Sequence, residues 1–153
     1  MKKPMIVLIL LAAALAGCGG ANKPSLAAFK SGFAANKQSF HSLGLDLQQA
    51  IATAQSKTDS QLATEIGALA TRAKAQATAL SKLNPPSRFR ADLHTLESGF
   101  NAVAGDLRQI ATAATKHDAT TARSATEALI QDASKVKTGD TAISAGLHLP
   151  TTG

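Results

Sequence analysis

Tryptophan and tyrosine are absent from this 153-residue chain, and its aromatic residues are five phenylalanines. Recognition of nucleic acids draws on aromatic stacking and on clustered positive charge. The sixteen lysines and arginines are dispersed without a run, so no nucleic-acid partner is expected. A single cysteine leaves no disulfide to form within the chain. Both methionines, Met1 and Met5, lie at the extreme N-terminus. The chain therefore has neither a C-x-x-C-H haem attachment motif nor a later methionine to serve as an axial ligand. Ten acidic residues against sixteen basic ones leave a mildly basic protein, with weak attraction to anionic lipid or polymer at most.

What is present starts at residue 1. Lys2 and Lys3 form a positive n-region, and Met5 to Leu15 an apolar run. That run is short of the roughly 20 apolar residues that span a bilayer, but it suits an export signal. Leu15-Ala16-Gly17-Cys18 follows. It resembles the lipobox of bacterial lipoproteins: an aliphatic residue, two small residues and the cysteine. Leu15, Ala16 and Gly17 would be the signal-peptidase recognition residues and Cys18 the lipid attachment site, with cleavage between Gly17 and Cys18. Acylation would also account for a lone cysteine in an exported protein. The resemblance implies a membrane partner through the N-terminal lipid, on the extracytoplasmic side of the cell envelope. In a Gram-negative host, Gly19 in place of aspartate after the cysteine favours the outer membrane.

The expected organisation is a signal peptide (1–17), a flexible Gly-rich tether (18–24), an all-α four-helix bundle (25–138) and a C-terminal tail (139–153). Alanine, the best helix former, dominates the region after the signal. Leu26, Phe29, Phe33, Phe40, Leu43 and Leu47 recur at spacings near three and four, which is a helix face; this segment spans about 25–56. Thr58-Asp59-Ser60-Gln61 reads as a capping box opening a second segment to about residue 83. Asn84-Pro85-Pro86 breaks the chain. The third segment (86–115) carries Phe89, Leu93, Leu96, Phe100, Val103, Leu107 and Ile110 in a nearly continuous heptad stripe. Asp118 is the N-cap expected for a fourth segment (119–137), with the weaker stripe Ala122, Thr126, Leu129, Ala133 and Val136. Thr138-Gly139 reads as its stop, and Ile143, Leu147 and Leu149 as a short turn packed on the bundle end. Short connections predict up-down-up-down packing.

A bundle outside the cytoplasm invites a search for cofactors, and none is expected. A di-iron site needs four carboxylates and two E-x-x-H pairs. The glutamates here are Glu65, Glu97 and Glu127, and His94-x-x-Glu97 has the order reversed. His41, His94, His117 and His148 show no metal-ligand spacing, so no metal is expected. Ser134-x-x-Lys137 and Lys137-Thr138-Gly139 match two β-lactamase-type motifs, but they share Lys137 and lack S-D-N. No G-x-S-x-G elbow occurs. These readings together point away from an enzyme.

One polar constellation stands out. Asn36 and Gln76 interrupt apolar stripes, and counting from the turns places them, with His94, near one level of the bundle. Such a layer either fixes helix register, as a buried asparagine does in coiled coils, or holds a small polar ligand or ion.

Beyond the lipobox, Leu80-Ser81-Lys82-Leu83-Asn84-Pro85-Pro86 at the central turn and Ala145-Gly146-Leu147 near the end resemble small helical envelope lipoproteins of uncharacterised function, common in actinobacteria. Some of those carry a late cysteine, which this chain lacks. The resemblance imports no activity. The function expected is a non-catalytic envelope interaction or structural module with a protein partner; the alternative is a small-ligand or metal-ion binder using the polar layer.

Overall fold

The computed structural model describes residues 24–150, so the lipobox residues Leu15, Ala16, Gly17 and Cys18 lie outside the described residues. The described chain is all-α. Four helices follow one another: α1 (Leu26–Thr53), α2 (Asp59–Ser81), α3 (Arg90–Thr115) and α4 (Ala119–Leu147). Single 3-10 turns at Ala54–Ser56 and Ser87–Phe89 join α1 to α2 and lead into α3.

Local chemistry sets the helix starts. The Ser25 hydroxyl accepts from Ala28 N, relieving one of the unpaired amides at the start of α1. Thr58 and Gln61 form the reciprocal capping box: Gln61 N donates to Thr58 Oγ1 at 3.3 Å, and Thr58 N donates to Gln61 Oε1 at 3.0 Å. Asp118 caps α4, accepting from Thr121 N at 3.0 Å and from its hydroxyl at 2.7 Å. Those bonds, the backbone one first, hold the Asp118 carboxyl below the usual aspartate range.

The ends are less conventional. α3 and α4 both stop at a histidine with left-handed backbone, His117 at φ 54° and His148 at φ 52°. In each case the next amide reaches back to close the last turn: Asp118 N donates to Ala113 O, and Leu149 N to Ser144 O, both at 2.9 Å. This is the Schellman arrangement. The expected stop at Thr138-Gly139 is not used, and α4 continues to Leu147. The segment read as a tail from residue 139 is therefore helical as far as Leu147, and buried Ile143 and Leu147 belong to the core.

Gly139 is helical because it serves a contact rather than a turn. A Cβ there would lie 3.0 Å from Leu96 Cβ and 3.2 Å from Leu96 Cα and N. Three residues away on each helix, a Cβ on Gly99 would lie 2.9 Å from Val136 Cγ2 and 3.2 Å from Val136 N. Phe89 lies against Gly146 at the end of the same seam. These contacts step forward along α3 and backward along α4. The α2 side is lined by buried Ala70, Ala73 and Ala77, facing a core that includes Ala104. Small residues let backbones approach closely.

α1 is built differently. Its inward face is Phe29, Phe33, Phe40, Leu43 and Leu47, and rings hold a helix axis further away than alanines do. The rings form a chain: Phe29 meets Phe89 at 5.3 Å between centroids, and Phe40 meets Phe100 at 4.9 Å. At Gly44 and Gly105 the position a Cβ would take has nothing within 4 Å. Each is then only a loss of helix propensity, so Gly105→Ala is expected to gain up to about 1 kcal/mol in urea unfolding.

Candidate functional site

The most heavily buried polar cluster sits where α1 meets α4. Lys37 projects from α1 between Phe33 and Phe40, with 8% of its surface exposed. Its Nζ donates to both Asp140 carboxylate oxygens, at 3.0 and 3.1 Å, and to Ser144 Oγ at 2.7 Å. Asp140 is 7% exposed and Ser144 fully buried. Nζ also lies 6.0 Å from the Phe33 ring centroid, within cation–π range. All three ammonium protons thus have oxygen acceptors, the condition under which a buried charge is tolerated.

This arrangement is structural in its chemistry. A serine–lysine pair acts as a nucleophile only when the lysine accepts the serine proton and a substrate reaches the hydroxyl. Here the ammonium is held on a carboxylate, and Ser144 Oγ has no exposure to a substrate.

Beside the cluster, an apolar groove of about 240 Å³ opens between α1 and α4, with α3 as its floor. Phe40, Leu43, Leu47, Phe100, Val103 and Val136 line it, and His41, Gln48, Lys137 and Asp140 border it. The groove exists because the rings of α1 prevent that helix from closing onto α4 as tightly as α3 does.

A second acidic group faces α4 from α3. Asp106 is 8% exposed, and its Oδ2 is buried without a hydrogen-bond partner. Burial first, and the negative Asp132 second, push its carboxyl above the ordinary range, with Lys135 acting the other way. Lys135 is itself bonded to Asp132 at 2.6 Å. A raised folded value means that this site's contribution to stability is fully present below the ordinary aspartate range and is lost as pH rises through the raised value. Asp106→Asn, neutral at every pH, is therefore expected to melt higher than the native chain at pH 7. The two melting temperatures should converge on acidification. A constant difference across pH would refute the assignment.

The expected polar layer is not joined by hydrogen bonds. Asn36 Nδ2 donates instead to Gly32 O of its own helix, at 2.8 Å. His94 is exposed. Gln76 is partly buried, and its Oε1 has no hydrogen-bond partner. Relieving that oxygen should stabilise the fold: Gln76→Leu is expected to gain about 1 kcal/mol in chemical denaturation.

Sequence reasoning misses Lys37, Asp140 and Ser144, although a signal for them exists. Lys37 lies on the Phe33–Phe40 stripe, and Val136, Asp140, Ile143, Ser144 and Leu147 continue a helical period past Gly139.

Among the described residues no group of three or more histidine, cysteine, aspartate or glutamate side chains is placed to hold a metal ion, and no helix is long and apolar enough to cross a membrane. Comparison of the chain with protein-family models, curated proteins and solved structures finds no match.

Proposed function

We propose that this chain is a lipid-anchored, extracytoplasmic lipoprotein whose up-down-up-down helical bundle serves as a non-catalytic interaction or structural module of the cell envelope. The observation that carries the reading is the N-terminal sequence. Lys2-Lys3, the apolar run to Leu15 and then Leu15-Ala16-Gly17-Cys18 give charge, hydrophobicity, small residues and thiol in the order that lipoprotein processing requires. Gly19-Gly20-Ala21-Asn22-Lys23-Pro24 would be the tether between the acylated cysteine and α1. The stepwise opposed contacts along α3 and α4, and the short connections between successive helices, support the up-down order.

α1 supports a role in binding a protein partner. Leu26, Leu45 and Ile51 on this helix are each 45% exposed or more, and the other exposed large apolar side chain among the described residues, Ile130, lies on α4. The alternative of a small-ligand protein finds support in the groove rather than in a layer of Asn36, Gln76 and His94.

Mass spectrometry of the protein extracted from its native membrane tests the anchor. The expected mass is that of residues 18–153 plus acyl chains. A mass equal to unmodified residues 1–153 overturns the proposal.

A further inference from the structure

We infer that the groove between α1 and α4 is a binding site for a single-chain amphiphile with an anionic head, a long-chain carboxylate. This inference does not depend on the lipid anchor.

Shape argues for a chain. The lining side chains run from Phe40 to Gln48 on α1 and from Ala133 to Asp140 on α4, about 12 Å of helix at 1.5 Å per residue. The groove is therefore elongated along the helix axes. Its volume of about 240 Å³ exceeds the roughly 150 Å³ apolar cavity that accepts a benzene ring. Its walls are phenylalanine, leucine and valine, which offer an alkyl chain dispersion contact and no hydrogen bonds. Gly44 leaves the α1 side open, with no atom within 4 Å of the position a Cβ would take. Leu45, half exposed at the border, extends the apolar track outward.

Charge argues for an anion and for one orientation. The Lys37–Asp140 pair fixes which ends of α1 and α4 lie together, and His41 and Lys137 fall at that same end. The Asp140 carboxylate is already engaged by the Lys37 ammonium at 3.0 Å. Lys137 is exposed and takes part in none of the ion pairs formed among the described residues. His41 is exposed on the facing helix. The polar end of the groove thus presents a lysine and a histidine to a head group, while the residues lining the other end, Leu47, Gln48 and Ala133, carry no charged side chain. A carboxylate would sit at Lys137 and His41, with its chain running over Phe40, Phe100 and Val103 towards Leu47.

The test is calorimetric titration of the full chain carrying Cys18→Ser, so that no acyl group of its own competes. Octanoate, decanoate and dodecanoate are used below their micelle concentrations, with dodecyltrimethylammonium as the cationic comparison. Saturable one-to-one binding is expected, tightening about fourfold for each added methylene until the groove is filled. Lys137→Glu should weaken decanoate about tenfold and improve binding of the cation. Gly44→Leu, an exposed position that should leave the melting temperature at or above the parent value, should weaken every carboxylate at least tenfold. Absence of saturable binding, affinity independent of chain length, equal affinity for the cation, or indifference to Gly44→Leu would each overturn the inference. So would a dimer that Gly44→Leu dissociates, since a second copy would then be the occupant.

Discussion

Lys37→Met is expected to cost about 3–5 kcal/mol of folding stability, because it withdraws the ammonium from a carboxylate that stays buried. Asp140 and Ser144 converge on Nζ at 2.7 to 3.1 Å, and methionine of similar length offers them nothing. The loss is mainly the penalty of the stranded charge rather than the net value of the pair. That distinction has its own consequence: in Lys37→Met with Asp140→Leu the penalty disappears, and the double variant should recover most or all of the native stability. Urea unfolding with an unchanged m-value reads both. Because the pair is shielded from solvent, the effect should persist at high salt, unlike that of an exposed pair such as Arg72–Asp46. A single-variant loss below about 1 kcal/mol would mean that the cluster behaves as a surface pair, and α1 would then owe its docking to its rings alone.

Gly139→Val is the second large effect, with an expected cost of about 3 kcal/mol, the upper range for overpacking. A Cβ at residue 139 already meets Leu96 Cα and N at 3.2 Å. Backbone atoms cannot rotate aside, so α3 and α4 must separate, and Leu96, Phe100 and Ile143 would lose packing with them. Val136 at Gly99 repeats the constraint one turn away, so Gly99→Val is expected to behave alike. The pair should be less than additive, because the first substitution already opens the seam. Gly105→Ala on the same α3 is the control. Thermal or urea unfolding of the three variants separates contact glycines from incidental ones; equal responses at Gly139 and Gly105 would refute the close-approach reading.

The two effects share a cause. α3 and α4 meet across contact glycines and α2 adds buried alanines beside its leucines and isoleucine, whereas α1 meets the bundle mainly through its rings, Leu43 and one buried ion pair. Small-residue seams tolerate no added volume. The ring-lined seam keeps space, and that space is the groove. The helix carrying Leu26, Leu45 and Ile51 at the surface is thus also the one whose inner side is least tightly closed.

Asp106 follows the same logic with opposite sign. Its carboxyl lies at the α3–α4 interface without the ammonium that Lys37 gives Asp140, and Lys135 is taken up by Asp132. The fold tolerates it best when it is protonated, which is why the gain expected of Asp106→Asn depends on pH.

Helix starts were legible because they depend on a few neighbouring residues: Ser25, Thr58 with Gln61, and Asp118 each cap through bonds within three residues. The heptad stripe of α3 was equally legible, since Leu93, Leu96, Phe100, Val103 and Leu107 face one side whatever they meet. The end of α4 was not. Gly139 carries the usual sign of a helix stop, and only its contact with Leu96 explains why the helix runs through it, while the left-handed turn falls to His148. The weak stripe of α4 misled in the same way: Thr126 is exposed and Ala125 is buried, because a face rich in alanine does not declare its own direction.

Although α3 begins at Arg90 rather than at Pro86, sequence by itself determined the all-α class, where α1, α2 and α4 begin and which faces of α1 and α3 turn inward. Those follow from propensity, capping and periodicity, all of them local. Tertiary structure alone decided which polar residues would meet. Asn36 bonds within its own helix and His94 faces solvent, whereas Lys37 finds Asp140 and Ser144 more than a hundred residues away. A side chain's partner across a bundle depends on axial level, helix rotation and interaxial distance together, and each of these is set by the packing of every other helix.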